Sequence, residues 1–229
     1  MFKRLFSIVT GDYPLEKAAG RFGTMLELAR EMILEADAVY WGKELDPESR
    51  TALYDKDVRL NQLERKVRKA VITQLSGAVP SDVPYGLLLM SLVKDVERLG
   101  DYAKNITEIA GMTHPDGSRT LPDDKIVGEL KQISASICNL AKEAEAVYTK
   151  SDRDRARELT IEGRSISKRC DKLITTIAQA DYPAAIAVDL TLGTRFYKRI
   201  QGHLLNLLSS VLMPLHKLDF YDESSVPDD

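Results

Sequence analysis

Acidic residues at helical spacing give this sequence its clearest opportunity for chemistry. Glu97 and Asp101 stand four residues apart, and Asp57, Asn61 and Glu64 fall at i, i+4 and i+7. On a helix each set forms a single stripe. Like charges at i,i+4 destabilise a helix by roughly 0.2–0.5 kcal/mol, so something must offset the repulsion. A bound cation is one candidate. A helix rises about 1.5 Å per residue, which places Glu97 and Asp101 about 6 Å apart along one face. Oxygen ligands from two neighbouring helices suit a hard or borderline cation. The other candidate is a solvated helix face on which Lys104 and Arg98 neutralise the acids. Spacing alone leaves both open.

Other chemistries find less support. The chain has no Gly-x-Ser-x-Gly, phosphate loop or His-Glu-x-x-His. None of His114, His203 and His216 follows a glutamate by three residues, as the ligand pairs of di-iron helical bundles do. Cys138 and Cys170 are too few and too far apart for a zinc or redox motif, and are expected as buried thiols. A net charge of −3 argues against a nucleic-acid partner. No apolar run reaches the ~20 residues that span a bilayer. The longest candidate, 204–218, is broken by Ser209, Ser210 and Pro214. The opening Met1-Phe2-Lys3-Arg4-Leu5-Phe6 is too short for a signal peptide, and a docked or frayed turn is expected there rather than a membrane anchor. The expectation is a cytoplasmic protein that is not an enzyme.

The elements that must carry the acids are helices. Hydrophobic residues make up 44% and charged residues 29%, enough for a proper core in 229 residues. Proline, glycine and capping residues divide the chain into six helical segments. The first spans about 15–43. Asp46-Pro47 opens the second, which continues to about Ser76 before Gly77 and Pro80. The third spans about 82–111, and a polar loop, 114–118, follows. The fourth starts after Pro122 and ends near Lys150. Ser151-Asp152 caps the fifth, which ends before Tyr182-Pro183. The sixth ends near Pro214 or Leu218, and the acidic stretch 219–229 is expected to be disordered.

Three of these segments carry heptad seams. Leu89, Leu92, Val96, Leu99, Ala103, Ile106 and Ala110 alternate spacings of three and four in the third. Leu60, Leu63, Val67 and Ala70 do so in the second, and Tyr197, Ile200, Leu204, Leu207 and Val211 in the sixth. Such seams are core and pack helices nearly parallel in a bundle. Residues 97–106 also match 198–207 at a constant offset of 101, pairing Arg98 with Arg199 and Asn105 with Asn206. Three long helices, a turn and three more imply an all-α fold of two repeated antiparallel three-helix bundles. Trp41 is expected as a packing anchor, Arg195, Lys198 and Arg199 as a solvated basic spot, and His203 as a surface or boundary residue.

Glu97-Arg98-Leu99-Gly100-Asp101 through Asn105-Ile106 resembles the signature helix of the PhoU family, and Asp57-x-x-Leu60-Asn61-x-Leu63-Glu64 resembles its companion motif. The resemblance covers roughly residues 15–218. It implies an N-terminal segment 1–14, a first repeat 15–113, a second repeat 120–218 and an acidic tail 219–229. It implies metal ions held on the bundle surface by acidic pairs from two helices, here Glu97 and Asp101 with Asp57, and Asn61 as a neutral ligand. The second repeat departs from that pattern: Lys198 and Gly202 replace the Glu97 and Asp101 pair, and Gly163 and Ser167 replace Asp57 and Asn61. A divalent or iron-type metal is therefore expected in the first repeat only. The implied role is that of an adaptor modulating phosphate transport and phosphate-responsive signalling. Its implied partner is a phosphate transporter, a sensor histidine kinase or both, with peripheral membrane association through that partner. A homodimer is compatible with the resemblance. The alternatives are a helical-bundle metal-binding protein or metalloenzyme with carboxylate ligands, and a metal-free structural scaffold.

Overall fold

Asp-Pro and Asp caps, proline stops and short turns set the bounds of six long helices among the described residues. In the computed structural model, residues 14–44, 46–77 and 82–218 are described. They form α1 (Pro14–Tyr40), α2 (Pro47–Leu75), α3 (Val83–Thr113), α4 (Lys125–Lys150), α5 (Arg153–Gln179) and α6 (Ala184–Leu212), then a 3-10 turn at Leu215–Lys217. No strand occurs among the described residues. The expected N-terminal turn, the stop at Pro80 and the acidic tail lie outside them.

The caps explain the boundaries. Asp46 accepts a hydrogen bond from the Ser49 amide at 2.7 Å, and Pro47 takes the first turn of α2. Asp124 accepts from the amides of Ile126 and Val127, and Asp152 from that of Arg155. Only Ser151 and Asp152 join α4 to α5. Ser151 adopts a left-handed φ of 52°, which lets the Asp152 amide reach back to the Val147 carbonyl at 3.1 Å.

Neighbouring helices run antiparallel. Arg21 meets the Lys66 carbonyl while Lys56 meets Glu31 and Glu35, so α1 opposes α2. Tyr54 meets Glu108 and Asp57 meets Lys104, so α2 opposes α3. In the second bundle Arg155 meets Glu143 and Arg169 meets Glu129 across α4 and α5. Lys198 and Asp171 link α5 to α6. The two bundles join chiefly through α3 against α6, with α1 against α4 beside them.

The seams of α3 and α6 are core. Leu89, Leu92, Val96, Leu99, Ala103 and Ile106 are buried, as are Tyr197, Ile200, Leu204, Leu207 and Val211. Three seam positions differ from expectation. Leu63, Ala70 and Ala110 are half-buried, and Ile109 is buried in place of Ala110. In α2 the buried residues Leu53, Asp57, Leu60, Val67 and Val71 keep heptad spacing, with the second seam position at Asp57 and Val71 and not at Leu63 and Ala70.

The α3/α6 contact carries a sign of internal symmetry. Tyr102 packs on Phe196 with ring centroids 6.0 Å apart, and Asp95 bonds His203 at 2.8 Å. Shifting by 101 residues exchanges these two contacts: Tyr102 becomes His203, and Phe196 becomes Asp95. Tyr102 and His203 stack on each other at 5.7 Å between them. His203 therefore belongs to the junction of the bundles. Its neighbour Arg199 donates to the Tyr102 hydroxyl at 3.1 Å.

A buried polar clasp fixes the connecting loop. Asp189 is completely buried and receives a bidentate guanidinium from Arg119, at 2.7 and 2.9 Å. Arg119 also donates to the Tyr40 carbonyl at 2.7 Å, and Thr113 donates to Asp189 at 3.0 Å. Burial works against the Arg119 charge, but the Asp189 bonds outweigh it and raise its pKa. Nearby, Trp41 packs against the core and donates to Ser134 at 2.9 Å and Asp37 at 3.1 Å. Burial pushes the thiols of Cys138 and Cys170 up to about 12, so both are inert structural thiols.

Candidate functional site

The acidic stripes meet where α2 and α3 come closest. Gly100 makes that approach possible: a Cβ there would stand 2.4 Å from Leu60 Cδ2. The contact places α2's Asp57 beside α3's Lys104, whose Nζ lies 2.9 Å from Asp57 Oδ2. Burial disfavours the Lys104 ammonium, but the Asp57 hydrogen bond and charge outweigh it and hold its pKa above the ordinary lysine value.

The remaining acids are also partnered. Arg98 Nη1 lies 2.8 Å from Asp101, and Lys94 Nζ lies 2.7 Å from Glu97 Oε2. Arg68 holds Glu64 at 2.9 Å. Asn61 is half-buried one turn beyond Asp57. Arg98 and Lys104 thus neutralise acids, as the second reading of the stripes requires. One part of that reading is corrected. Glu97 and Asp57 do not face outward into water: each is only 7% exposed. Both sit on the flank between α2 and α3, and a position beside the seam of one helix is covered by its neighbour in a bundle.

The oxygen donors suit a hard cation, and one detail favours such a ligand. Glu97 Oε2 is buried without a well-directed hydrogen bond, because the Lys94 ammonium approaches it off the hydrogen-bonding line. The arrangement nonetheless places ammonium and guanidinium groups on the acids. Among the described residues no three His, Cys, Asp or Glu side chains are grouped so as to hold a metal ion. The residues would fit a metal only after Lys94, Arg98 and Lys104 release their acids.

The second bundle solves the same helix contact without charge. Gly163, matched to Asp57, faces Leu205, matched to Lys104, and a Cβ on Gly163 would stand 2.5 Å from Leu205 Cδ2. Lys198, matched to Glu97, pairs with Asp171. The Arg119–Asp189 clasp was missed in the sequence. Its one signal is a lone acid in the apolar run Ala184 to Leu192. Its partner lies in a loop 70 residues away.

The comparisons agree with this architecture. The family model of the PhoU domain matches residues 22–110, which include both acidic stripes. The phosphate-specific transport system accessory protein PhoU homolog 2 of Mycobacterium tuberculosis is 23% identical over 200 residues, covering 86% of this chain and 89% of that protein. PhoU homolog 1 of Mycobacterium leprae is 22% identical over 216 residues, covering 93% and 92%. The fold is shared with the crystal structure of PhoU from Pseudomonas aeruginosa, at a TM-score of 0.76 and 17% identity over 89% of this chain and 97% of that one. It is shared also with the phosphate transport system regulatory protein PhoU from Streptococcus pneumoniae, at 0.72 and 16% over 94% and 98%. With its signature helix inside the matched segment and its six helices in the same arrangement, the chain carries a PhoU domain over residues 22–110 and shares the fold of the PhoU crystal structures.

Proposed function

We propose that this protein is an accessory regulator of phosphate transport. It acts by docking on a transporter or its sensor kinase at the cytoplasmic side of the membrane, and not by catalysis. The observation that carries the reading is the likeness to accessory proteins of phosphate-specific transport systems, which runs through both bundles rather than through one domain. The physical form supports it. Long amphipathic helices offer broad outer faces for docking. The cavity where α1, α3, α4 and α6 meet, lined by Leu26, Arg30, Leu99 and Leu207 among others, is about 10 Å³, room for a single water molecule. Among the described residues no helix is long and apolar enough to cross a membrane, so membrane attachment would come through a partner or a surface. Deleting the gene in a strain without a paralogue should alter phosphate uptake and phosphate-responsive expression. Unchanged uptake and expression would refute the role.

The acids of the first bundle support a secondary reading, favoured by the poorly satisfied Glu97 oxygen. A hard divalent or iron-type ion binds weakly at Glu97 and Asp101, with Asp57 and Asn61 contributing, in competition with Lys94, Arg98 and Lys104. Metal titration of wild type against Glu97→Ala/Asp101→Ala tests this. Equal binding by both proteins, or metal beside Lys198 and Gly202, would refute it.

A further inference from the structure

The outer face of α2 has a composition that the bundle does not use. The inner face buries Leu53, Leu60, Val67 and Val71. On the outer face Tyr54, Val58 and Ile72 are 40%, 51% and 58% exposed. Arg59, Arg65, Lys66 and Lys69 are exposed among them, and Asp55 is the one exposed acid between Tyr54 and Thr73. At 100° per residue these positions fall within one half of the helix circumference, and they extend over about 27 Å. The ion pairs of this helix are made by Lys56, Asp57, Glu64 and Arg68. Arg59, Arg65, Lys66 and Lys69 have no acidic partner among the described residues.

The matched helix of the second bundle provides a control. On the outer face of α5, Arg157, Lys168 and Lys172 are balanced by the exposed Glu158, Glu162 and Asp171. The basic and apolar face is therefore a property of α2 and not of an outer helix in this fold. With a net charge of −3, the whole chain offers an anionic surface no general attraction. Any such attraction must be local and oriented.

We propose that the outer face of α2 rests directly on an anionic membrane surface. Arg59, Arg65, Lys66 and Lys69 contact lipid phosphates, and Val58 and Ile72 enter the headgroup layer, while Tyr54 at the edge of the face stays bonded to Glu108 of α3. Exposed aliphatic side chains set among basic ones that no acid neutralises match the composition with which a helix lies on an anionic interface. Val83 and Leu87, 36% and 46% exposed near the start of α3, add apolar surface beside the C-terminal end of α2. The contact does not depend on which protein is regulated, so it stands apart from the regulatory reading.

The test is co-sedimentation of the full chain with phosphatidylcholine vesicles, with and without phosphatidylglycerol. Binding is expected only with the anionic lipid and should fall as salt rises. Each basic side chain near such a surface is worth about fivefold in partitioning, so Arg59→Gln/Arg65→Gln/Lys66→Gln/Lys69→Gln should lose at least about tenfold. These positions are exposed, so helicity by circular dichroism should be unchanged. Val58→Ser/Ile72→Ser should weaken binding by a few fold, and Arg157→Gln/Lys168→Gln/Lys172→Gln should leave it intact. Four results would overturn the proposal: no partitioning of wild type, equal partitioning of the quadruple variant, loss in Lys3→Gln/Arg4→Gln alone, or binding to an acidic protein through these residues without binding to vesicles.

Discussion

The two bundles answer matched structural problems with opposite chemistry. Where α2 meets α3, Asp57 and Lys104 form an ion pair. Where α5 meets α6, Gly163 and Leu205 interlock as a side chain in a glycine gap. Near the start of the third helix of each bundle the assignment reverses. Leu88 is an ordinary buried residue in α3, while the matched Asp189 in α6 is a buried carboxylate held by Arg119. A bundle contact thus has a slot that either salt or hydrocarbon can fill, provided both partners change together. The acidic stripe of the first bundle needs no metal to be charge-balanced, because lysine and arginine already stand against it.

The largest test of this view is at the clasp. Arg119→Ala should destabilise the protein by about 3–5 kcal/mol, because it strands a fully buried carboxylate. Arg119→Met/Asp189→Leu, which imports the apolar answer of the first bundle, should recover most of the loss in chemical denaturation. A double variant no better than Arg119→Ala would show that the slot is not interchangeable.

Transplanting the other answer should cost somewhat less. Gly163→Asp places a carboxylate against Leu205 and should cost about 3 kcal/mol, part overpacking and part burial of an unpaired charge. Adding Leu205→Lys should restore part of it. A coupling near zero in the double-mutant cycle would break the equivalence of the two contacts.

Lys104→Ala should be milder, about 1–2 kcal/mol, since the lysine is partly exposed while Asp57 is left buried. The same variant should bind divalent metal more tightly than wild type, because the resident ammonium no longer competes. Isothermal titration showing unchanged affinity would remove Lys104 from the competition.

The smallest effect is a pH arm confined to the first bundle. The Lys104 pKa is raised in the folded protein, so its contribution is complete below the ordinary lysine value and disappears as pH climbs through the raised one. The melting difference between wild type and Asp57→Gly/Lys104→Leu should narrow above about pH 10.5. A constant difference into that range would contradict the assignment.

Much of this was legible in the sequence, for physical reasons that also mark where reading stops. Caps such as Asp46 and Asp152 act within three residues, so spacing reveals them. The seams of α3 and α6 are visible because their apolar residues recur at helical spacing within a single element. The flanks were not visible. The periodicity of α3 alone places Glu97 beside the seam but cannot say that α2 covers it. Arg119 and Asp189 were less visible still, since each finds its partner only when the second bundle closes on the connecting loop.

The antiparallel pairing of α3 with α6 also sets a schedule for synthesis. The first bundle can form by local hairpins as soon as α3 is made, but α6, which covers one face of α3, is complete only about one hundred residues later. At ribosomal speeds of about 5–20 residues per second, that face waits some 5–20 seconds uncovered. Asp95 and Tyr102 lie on it, so the nascent first bundle meets water there with polar groups as well as apolar ones. The same side chains that later join the bundles make the waiting face partly wettable in the meantime.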